Sequence, residues 1–402
     1  MSGMQAASAV EPATRDAAAA PRRGVRRVFH LLDSLNVGGT ETQAVELALR
    51  MADAQHAITI GCLHAQGPLL ERLKDSPVRV REFHPLGGLD SPRGIYQLAR
   101  LAAFLRREKF DVMHAHDLWS NLMGVPAARL AGVPAIISSR RDLAHFDWYQ
   151  GRKRTWLRRI QNLSNIVLAN ATPIRDALIA EDGFAPEKLR VIHNGVDTQK
   201  FQQGKRDRAR LFPGLEAAKL VVLVGNMHSD VKGHPWLIAA APDVLRGVPE
   251  TRFVFAGDGD LRPELEKQAA DLGIRDRFLF LGRRSNIPDI LASCDIAILP
   301  SRAEGLPNAV LEYMAAGLPT IASRVGGNAE LVQEGVTGLL VPAEDSKAIS
   351  EALLRLLRDS DLSRSIAANG RRIAVENYSF DRLLREVDDL YSELLERRGG
   401  TR

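Results

Sequence analysis

The sequence is poor in cysteine and contains no long apolar segment. Its two cysteines, Cys62 and Cys294, lie far apart among 402 residues, so a disulfide framework is not expected and a reducing compartment fits. No run of about 18 apolar residues occurs, which argues against a transmembrane helix. Residues 1–24 are rich in alanine and lack the apolar core of a signal peptide, so we expect a disordered tail on a cytoplasmic protein.

A large charge excess is absent as well. Lys plus Arg total 54 and Asp plus Glu total 49, which gives a formal net charge of +5. This small excess argues against a nucleic-acid partner, because nucleic-acid-binding surfaces carry larger and more clustered positive charge. The imbalance is local, since residues 140–159 hold seven basic and two acidic residues, an excess equal to the whole net charge.

Aromatic residues interleave with the cations of this basic segment, 140–159. Its aromatic residues are Trp148, Tyr149 and Trp156, and its basic residues are Arg140, Arg141, Arg152, Lys153, Arg154, Arg158 and Arg159. Three interpretations are open: a solvated helix face, a patch that contacts a membrane near a lipid-linked acceptor, or a site for an anionic acceptor or RNA. Because aromatic rings and cations suit a membrane interface, the second predicts peripheral contact at the inner face of the membrane.

Short apolar strands and amphipathic helices alternate along the chain, and the pattern restarts near Lys219. This predicts an α/β protein of two Rossmann-like, doubly wound domains that face each other across a crevice, where ligands bind at strand ends and helix N-termini. We predict a tail at 1–24, domains at 25–205 and 218–375 with an irregular linker near 200–217, and a C-terminal helix at 376–398 that crosses back to the first domain.

Two glutamates eight residues apart, Glu304 and Glu312, flank a Gly-Leu-Pro turn. Pro307 and the apolar run after it predict a helix that begins near Asn308. Free backbone N–H groups at that helix start would hold an anion, and carboxylates beside them suit sugar or ribose hydroxyls. The alternative is a surface carboxylate pair around a helix cap.

Three further features have a structural alternative beside the functional one. His114 and His116 alternate on a strand, and we interpret them as a buried hydrogen-bonded pair rather than a metal site, because the sequence shows no third ligand. Asp258 and Asp260 form a D-x-D that we interpret as a turn, without metal. The Gly38–Gly39 loop follows the first strand and starts a helix, either as a tight turn or as a place where backbone approaches a ligand.

Five motifs follow one another along the chain: GGTE, HNGVD at 193–197, a strand–Gly–loop–KG at 224–233, GDG at 257–259, and EGLPNAVLE with the following MAAGLPTIAS. In this order they resemble the retaining glycosyltransferases of the GT-B fold, family 4 type (glycosyl transferases group 1). The resemblance covers the chain from Val25 to Arg398.

The resemblance implies a donor site. Glu304 would face the hydroxyls of the donor sugar and Glu312 those of the ribose. The diphosphate would lie against Lys232 and a short segment made up of Gly305, Leu306, Pro307, Asn308 and Ala309. The backbone N–H groups of this segment, which all its residues except the proline possess, would hold the phosphates.

The resemblance also implies an active-site histidine at His116, which would contact the donor sugar, and an acceptor-side loop at Gly38, Gly39 and Thr40, with Gly39 close to the donor phosphate. One departure stands out. The family has an arginine where this sequence has Asn226. Either Lys232 and the helix dipole suffice, or another cation substitutes, such as Arg283, Arg262 or one from the N-terminal domain.

The activity implied is transfer of a sugar, with retention, from a UDP- or GDP-linked nucleotide sugar to a glycan or polyprenyl-linked acceptor. No cofactor or metal is expected. The reaction would use front-face attack, so that the protein positions the reactants and stabilises charge. The alternatives are a sugar-nucleotide epimerase of the same fold and a catalytically degenerate sugar-nucleotide-binding protein.

Overall fold

The computed structural model describes residues 25–52, 56–84, 91–142 and 150–399. The chain forms two compact units, which divide between Ile136 and Ile137. Tail residues 1–24 lie outside the described residues. No helix in the described ranges combines the length and the apolar character that a membrane crossing requires.

The first unit alternates strands and helices. Its elements are β1 (Arg26–Ser34), α1 (Gly39–Ala52), β2 (His56–His64), α2 (Leu69–Leu73), β3 (Arg79–Glu82), α3 (Pro92–Glu108), β4 (Val112–Ala115), α4 (Leu118–Ala131) and the start of β5 (Ala135–Arg140). Within it neighbouring strands run parallel, in the order β3-β2-β1-β4. The middle of β1 is an unbroken buried run, which is typical of a central parallel strand covered on both faces.

The second unit continues the alternation through two sets of strands. Its first elements are α5 (Gly151–Gln161), β6 (Ile166–Ala169), α6 (Thr172–Ala180), β7 (Leu189–Val191), α7 (Thr198–Gln202) and α8 (Arg208–Leu211). The next are β8 (Lys219–Val224), α9 (His234–Gly247), β9 (Thr251–Ala256), α10 (Arg262–Asp271), β10 (Phe278–Gly282), α11 (Ile287–Ala292) and β11 (Ile296–Leu299). The last are α12 (Asn308–Ala316), β12 (Thr320–Ser323), α13 (Asn328–Leu331), β13 (Leu339–Val341), α14 (Ser346–Arg358), α15 (Ser360–Asn377) and α16 (Phe380–Gly399).

The strands form two sheets, one of seven strands in the order β3-β2-β1-β4-β5-β6-β7 and one of six in the order β10-β9-β8-β11-β12-β13. The predicted fold class, two Rossmann-like parallel sheets with helices, is thereby confirmed. The first sheet uses strands from 26–191 and the second from 219–341, whereas the division into compact units falls inside β5. The predicted domain boundaries stay a prediction.

Burial explains two local features that the sequence left open. The linker predicted as irregular at 200–217 contains α8 and part of α7, because Phe201 and Phe212 are buried in the same core as β8 and α12. Cys62 and Cys294 are also buried, and burial raises the pKa of both thiols. They are therefore packing residues.

The last helix begins beside the segment that follows β7. Val196 N–H donates to the Tyr378 carbonyl at 2.8 Å, and Phe380 N–H donates to the Val196 carbonyl at 3.2 Å. Further along α16, Arg190 and Glu393 form an ion pair at 2.9 Å. These contacts tie α16 to residues 190–196.

At Gly233 the loop before α9 packs closely against the end of β11. The φ of Gly233 is +81°, and a Cβ atom would collide with the Pro300 carbonyl oxygen at the end of β11. Gly273 has a similar φ of +71° but open space around it. We expect Gly273→Ala to cost about 1–2 kcal/mol, and Gly233→Ala to cost at least about 2 kcal/mol more, because it adds a backbone collision. Urea denaturation measures both, and equal losses would contradict the close approach.

Candidate functional site

A buried carboxylate is paired with a lysine at the carboxyl end of the second sheet. The Nζ atom of Lys232 lies 2.8 Å from Oε1 and 3.0 Å from Oε2 of Glu304. Ser301 Oγ donates to Oε1 at 2.6 Å. The Glu304 side chain is 8% exposed and that of Lys232 is 27% exposed, so the pair lies at the edge of solvent.

The sheet topology places these residues together. Lys232 belongs to the loop after β8, and Ser301 and Glu304 belong to the loop after β11. Strands β8 and β11 are parallel neighbours where the order of the sheet reverses, so their carboxyl ends open the crevice in which α/β proteins bind ligands. The structure thus brings together two of the predicted catalytic residues.

Hydrogen bonds from Asn194, called here the Asn194 brace, hold the loop that leads into α12. Helix α12 begins at Asn308, as the sequence predicted, and Pro307 supplies no side-chain cap. Asn194 Nδ2 donates to the Leu306 carbonyl at 3.0 Å and to Asn308 Oδ1 at 2.8 Å. Arg141 Nη1 in turn donates to Asn194 Oδ1 at 3.1 Å. The predicted diphosphate segment, 305–309, is therefore fixed by a buried amide.

A second brace lies beside the first. The Glu330 carboxylate accepts from Thr172 N–H at 2.6 Å, and its other oxygen lies 2.7 Å from His193 Nε2. Gly305 packs so closely on the Arg141 carbonyl oxygen that a Cβ atom would collide with it. The roles of His193 and Asn194 in the HNGVD motif could not be predicted from the sequence, because their partners are more than 100 residues away.

Glu312, the second glutamate of the pair, lies one turn inside α12 and is half-buried. Burial raises the pKa of its carboxyl to about 7, and Lys200 on α7 opposes that rise. Its neighbour Tyr313 points inward, where the hydroxyl accepts from Val224 N–H at 2.7 Å and anchors α12 to β8. The carboxylate therefore changes charge near neutral pH.

The structure locates Asn226, which stands where the resemblance predicts an arginine, and the cations that could substitute for that arginine. Asn226 lies exposed in the loop after β8. Of the two cations considered as substitutes, Arg262 is bonded to Glu266 at 2.8 Å, and Arg283 is exposed after β10. Each stays a candidate for the diphosphate site by prediction only.

The D-x-D belongs to a local turn. Asp258 Oδ1 accepts from the N–H of Gly259, and Asp260 lies 3.2 Å from His228 Nδ1. The side chains of Asp258 and Asp260 are half-exposed and exposed, respectively. Each carboxylate has a partner in its own neighbourhood, which fits the interpretation as a turn.

The glycine loop starts α1, as expected for the first βα turn. Helix α1 begins at Gly39, and Thr42 N–H donates to the Gly38 carbonyl at 3.0 Å, so Gly38 immediately precedes the helix and Gly39 and Thr40 lie in its first turn. Nearby, Asp33 N–H donates to Asp117 Oδ2 at 2.8 Å. Burial raises the pKa of Asp117 to about 7, and the charge of Asp33 adds to the rise.

A third histidine joins the predicted pair. His30 on β1 pairs in register with His114 on β4, so His30, His114 and His116 share one face of the sheet. All three are buried, and His30 Nδ1 lies 2.8 Å from His116 Nε2. The sequence gave no indication of this cluster, because pairing β1 with β4 is a matter of topology. The contact of His116 with a donor sugar stays a prediction, since the ring is completely buried.

The same three imidazoles are close enough to share a metal ion, with candidate ligand atoms within 4.8 Å of one another. Their orientation fits poorly. The rings of His114 and His116 stack with centroids 4.0 Å apart and planes 23° apart, so their in-plane lone pairs lie in nearly parallel planes rather than converging from different sides. A hydrogen-bonded cluster fits this geometry better than a coordination sphere.

The basic segment, 140–159, needs correction, because several of its cations are internal. Arg140 is buried beside Asp182 at 3.6 Å, and Arg154 is paired with both Asp182 and Glu181. Arg141 belongs to the Asn194 brace. The exposed face of α5 instead carries Arg152, Lys153, Trp156, Arg158 and Arg159. Trp148 and Tyr149 lie outside the described residues.

The sequence matches known glycosyltransferase families over most of its length. Residues 37–200 match the model described as Glycosyltransferase Family 4, and residues 218–359 match that described as Glycosyl transferases group 1. The two parallel sheets with their carboxylate–lysine site are therefore those of a glycosyltransferase. The chain belongs to the family 4 glycosyltransferases of the GT-B fold, as the motifs predicted.

Individual relatives agree. The chain is 30% identical over 365 residues to the UDP-Gal:alpha-D-GlcNAc-diphosphoundecaprenol alpha-1,3-galactosyltransferase of Escherichia coli, covering 86% of this chain and 91% of that protein. It is also 30% identical over 306 residues to the alpha-D-kanosaminyltransferase of Streptomyces kanamyceticus, covering 72% and 79%. Among solved structures, Anabaena HepE in complex with UDP-glucose matches with a TM-score of 0.79 at 25% identity, covering 91% of this chain and 99% of HepE.

Ionisation of Glu312 should control donor binding. Because its raised pKa is about 7, the carboxylate that would accept from ribose hydroxyls is lost as pH falls through 7. We expect the Kd of UDP or GDP to rise about tenfold between about pH 8 and about pH 6. Calorimetry at several pH values measures this rise. The nucleotide also titrates near pH 6, so Glu312→Gln is the reference, and parallel curves for both proteins would contradict the assignment.

Proposed function

We propose that this protein transfers a sugar, with retention, from a UDP- or GDP-linked nucleotide sugar to a hydroxyl of a glycan or polyprenyl-linked acceptor. The observation that carries the proposal is the Lys232–Glu304 pair, in which Glu304 belongs to the loop leading into α12, whose start has no side-chain cap. A lysine and free N–H groups suit a diphosphate, and a carboxylate beside them suits sugar hydroxyls.

Relatives support the substrate classes. The Escherichia coli relative is named for a UDP-galactose donor and a diphosphoundecaprenol acceptor. HepE was solved with UDP and with UDP-glucose. A nucleotide sugar and a lipid-linked or glycan acceptor are therefore the substrates to test first, and the acceptor is assigned to the side of Gly38, Gly39 and Thr40.

The chemistry proposed is the front-face transfer that the family resemblance implies. The bond between the anomeric carbon and the diphosphate oxygen breaks, and the acceptor oxygen bonds to that carbon on the same face. The acceptor proton passes to the departing phosphate oxygen. Lys232 and the N–H groups of 305–309 stabilise the charge that builds on the diphosphate, so the proposal assigns no step to a metal ion. Glu304 holds the sugar hydroxyls and fixes the reacting geometry.

Transfer activity tests the proposal directly. Thermal-shift screening of UDP- and GDP-sugars identifies the donor, because a ligand of the folded state raises its stability. With that donor we expect Lys232→Ala to lower kcat by about 10²–10³-fold, the scale of losing one charge-stabilising donor. Lys267→Ala, on the exposed face of α10, is the matched control and should keep wild-type turnover.

Product analysis by NMR decides the stereochemistry. A retained anomeric configuration supports front-face transfer, and an inverted linkage would refute it. Release of an epimerised nucleotide sugar without acceptor would instead identify the epimerase alternative. A Lys232→Ala variant with undiminished turnover would remove this lysine from the mechanism.

We also propose peripheral contact between the exposed face of α5 and an anionic membrane. Trp156 is 60% exposed, and the Arg159 guanidinium lies 5.9 Å from the centre of its ring. Arg152 and Lys153 extend the same exposed surface. An aromatic ring among cations suits the headgroup region, where a lipid-linked acceptor would be presented.

Vesicle flotation measures this contact. Reversal of Arg152, Lys153 and Arg159 to Glu should weaken binding to phosphatidylglycerol vesicles by about 100-fold, at about 1 kcal/mol for each lost cation. Arg154 is left unchanged, because its pair with Asp182 is internal. The control reverses three exposed cations elsewhere, Lys267, Lys347 and Arg364. Equal binding by both triple variants would mean that the exposed face of α5 is a solvated helix face that does not contact the membrane.

A further inference from the structure

In this structure the two groups predicted to hold opposite ends of the donor hold each other. Lys232, which would bind the diphosphate, bonds to both oxygens of Glu304, which would bind the sugar hydroxyls. A ligand cannot use either group fully while they remain paired. The ion pair is therefore an interaction with which any ligand of this site must compete.

The pair is held by rigid surroundings on both sides. Ser301 is completely buried, donates to Glu304, and accepts at its own carbonyl from Ser323 Oγ. Lys232 ends a short 3₁₀ turn, and the next residue, Gly233, packs against the Pro300 carbonyl oxygen. Because both backbones are fixed, the pair opens by side-chain motion of Lys232 rather than by movement of the loops.

Opening the pair has a cost that depends on the ligand. A buried carboxylate that loses its cation is left with incomplete compensation, which is strongly unfavourable. A nucleoside diphosphate can take Lys232 but offers nothing to Glu304. A complete nucleotide sugar can take Lys232 with its diphosphate and donate sugar hydroxyls to Glu304 at the same time.

We propose that Glu304 is a specificity-determining residue, which selects the complete nucleotide sugar against the free nucleoside diphosphate by competing for Lys232. The inference rests on the proposed function, since it uses the donor site assigned there. One consequence concerns turnover. After transfer the sugar has left, Glu304 recaptures Lys232, and release of the nucleoside diphosphate is favoured.

Calorimetry with UDP, GDP and the corresponding glucose nucleotides tests the idea. Glu304→Gln keeps the shape of the side chain but removes the charge that competes for Lys232. We expect it to bind the cognate nucleoside diphosphate at least about tenfold more tightly than the wild type does, the scale of one hydrogen bond to a charged group. Affinity for the nucleotide sugar should gain less, so the preference for the complete donor falls.

A double-mutant cycle separates competition from plain repulsion between Glu304 and the phosphates. In a Lys232→Met background, Glu304→Gln should no longer tighten nucleoside diphosphate binding, because there is no lysine left to release. A gain that persists at full size in that background would overturn the proposal. So would a Glu304→Gln single variant, folded by circular dichroism, that binds UDP or GDP no more tightly than the wild type.

A matched control removes a different carboxylate of the same kind. Glu46 on α1 also bonds two cations, Arg50 and Arg72, so Glu46→Gln makes the same charge change in the other unit and should leave nucleotide affinity unaltered. The two levels of inference fail differently. If neither UDP nor GDP binds the wild type, the donor site itself is misassigned. If the wild type binds and the glutamine variant shows no gain, only the selection by Glu304 is refuted.

Discussion

The carboxylate of Glu304, removed from water at the end of a parallel sheet, is the constraint around which the candidate site is organised. A carboxylate in that position needs charged and hydrogen-bonding partners. Lys232 and Ser301 provide them, and they come from loops after two different strands, β8 and β11. Because those strands are neighbours at the point where the sheet order reverses, the topology itself supplies the meeting of the three side chains.

Close backbone contacts fix the loops that carry these side chains. Gly233 allows the loop before α9 to reach the end of β11, and Gly305 allows the loop before α12 to lie on the segment after β5. Asn194 then satisfies the Leu306 carbonyl at the place where the chain turns into α12. Backbone N–H groups at a helix start bind an anion only if the preceding loop does not fold over them. These contacts fix the conformation of the loop before α12.

What the sequence could predict is local. The start of α12 at Asn308 follows from Pro307 and the apolar run behind it, and the alternation of strands and helices indicates two parallel sheets. Residues whose roles depend on distant partners could not be predicted. His30 meets His116 only because β1 lies beside β4.

The basic segment shows the same limit on a surface. Composition counts Arg140 and Arg154 as free positive charge, but both pair with Asp182, and Arg154 pairs with Glu181 as well. Charge composition therefore overestimates an exposed patch wherever acids distant in sequence fold onto it. What remains on α5 is smaller, yet it includes a large exposed aromatic ring, Trp156.

The position of Arg141 bears on the missing arginine at Asn226. Its guanidinium bonds the Asn194 amide, which bonds Asn308 at the head of α12, so a full positive charge lies two hydrogen bonds from the predicted diphosphate segment. At an effective dielectric constant of about 20, a charge at such a distance still contributes on the order of 1–2 kcal/mol to anion binding. Arg262, by contrast, is already bonded to Glu266. Positive potential at the start of α12 can thus come from Arg141 as well as from Lys232. A neutral Asn226 is compatible with diphosphate binding on those terms.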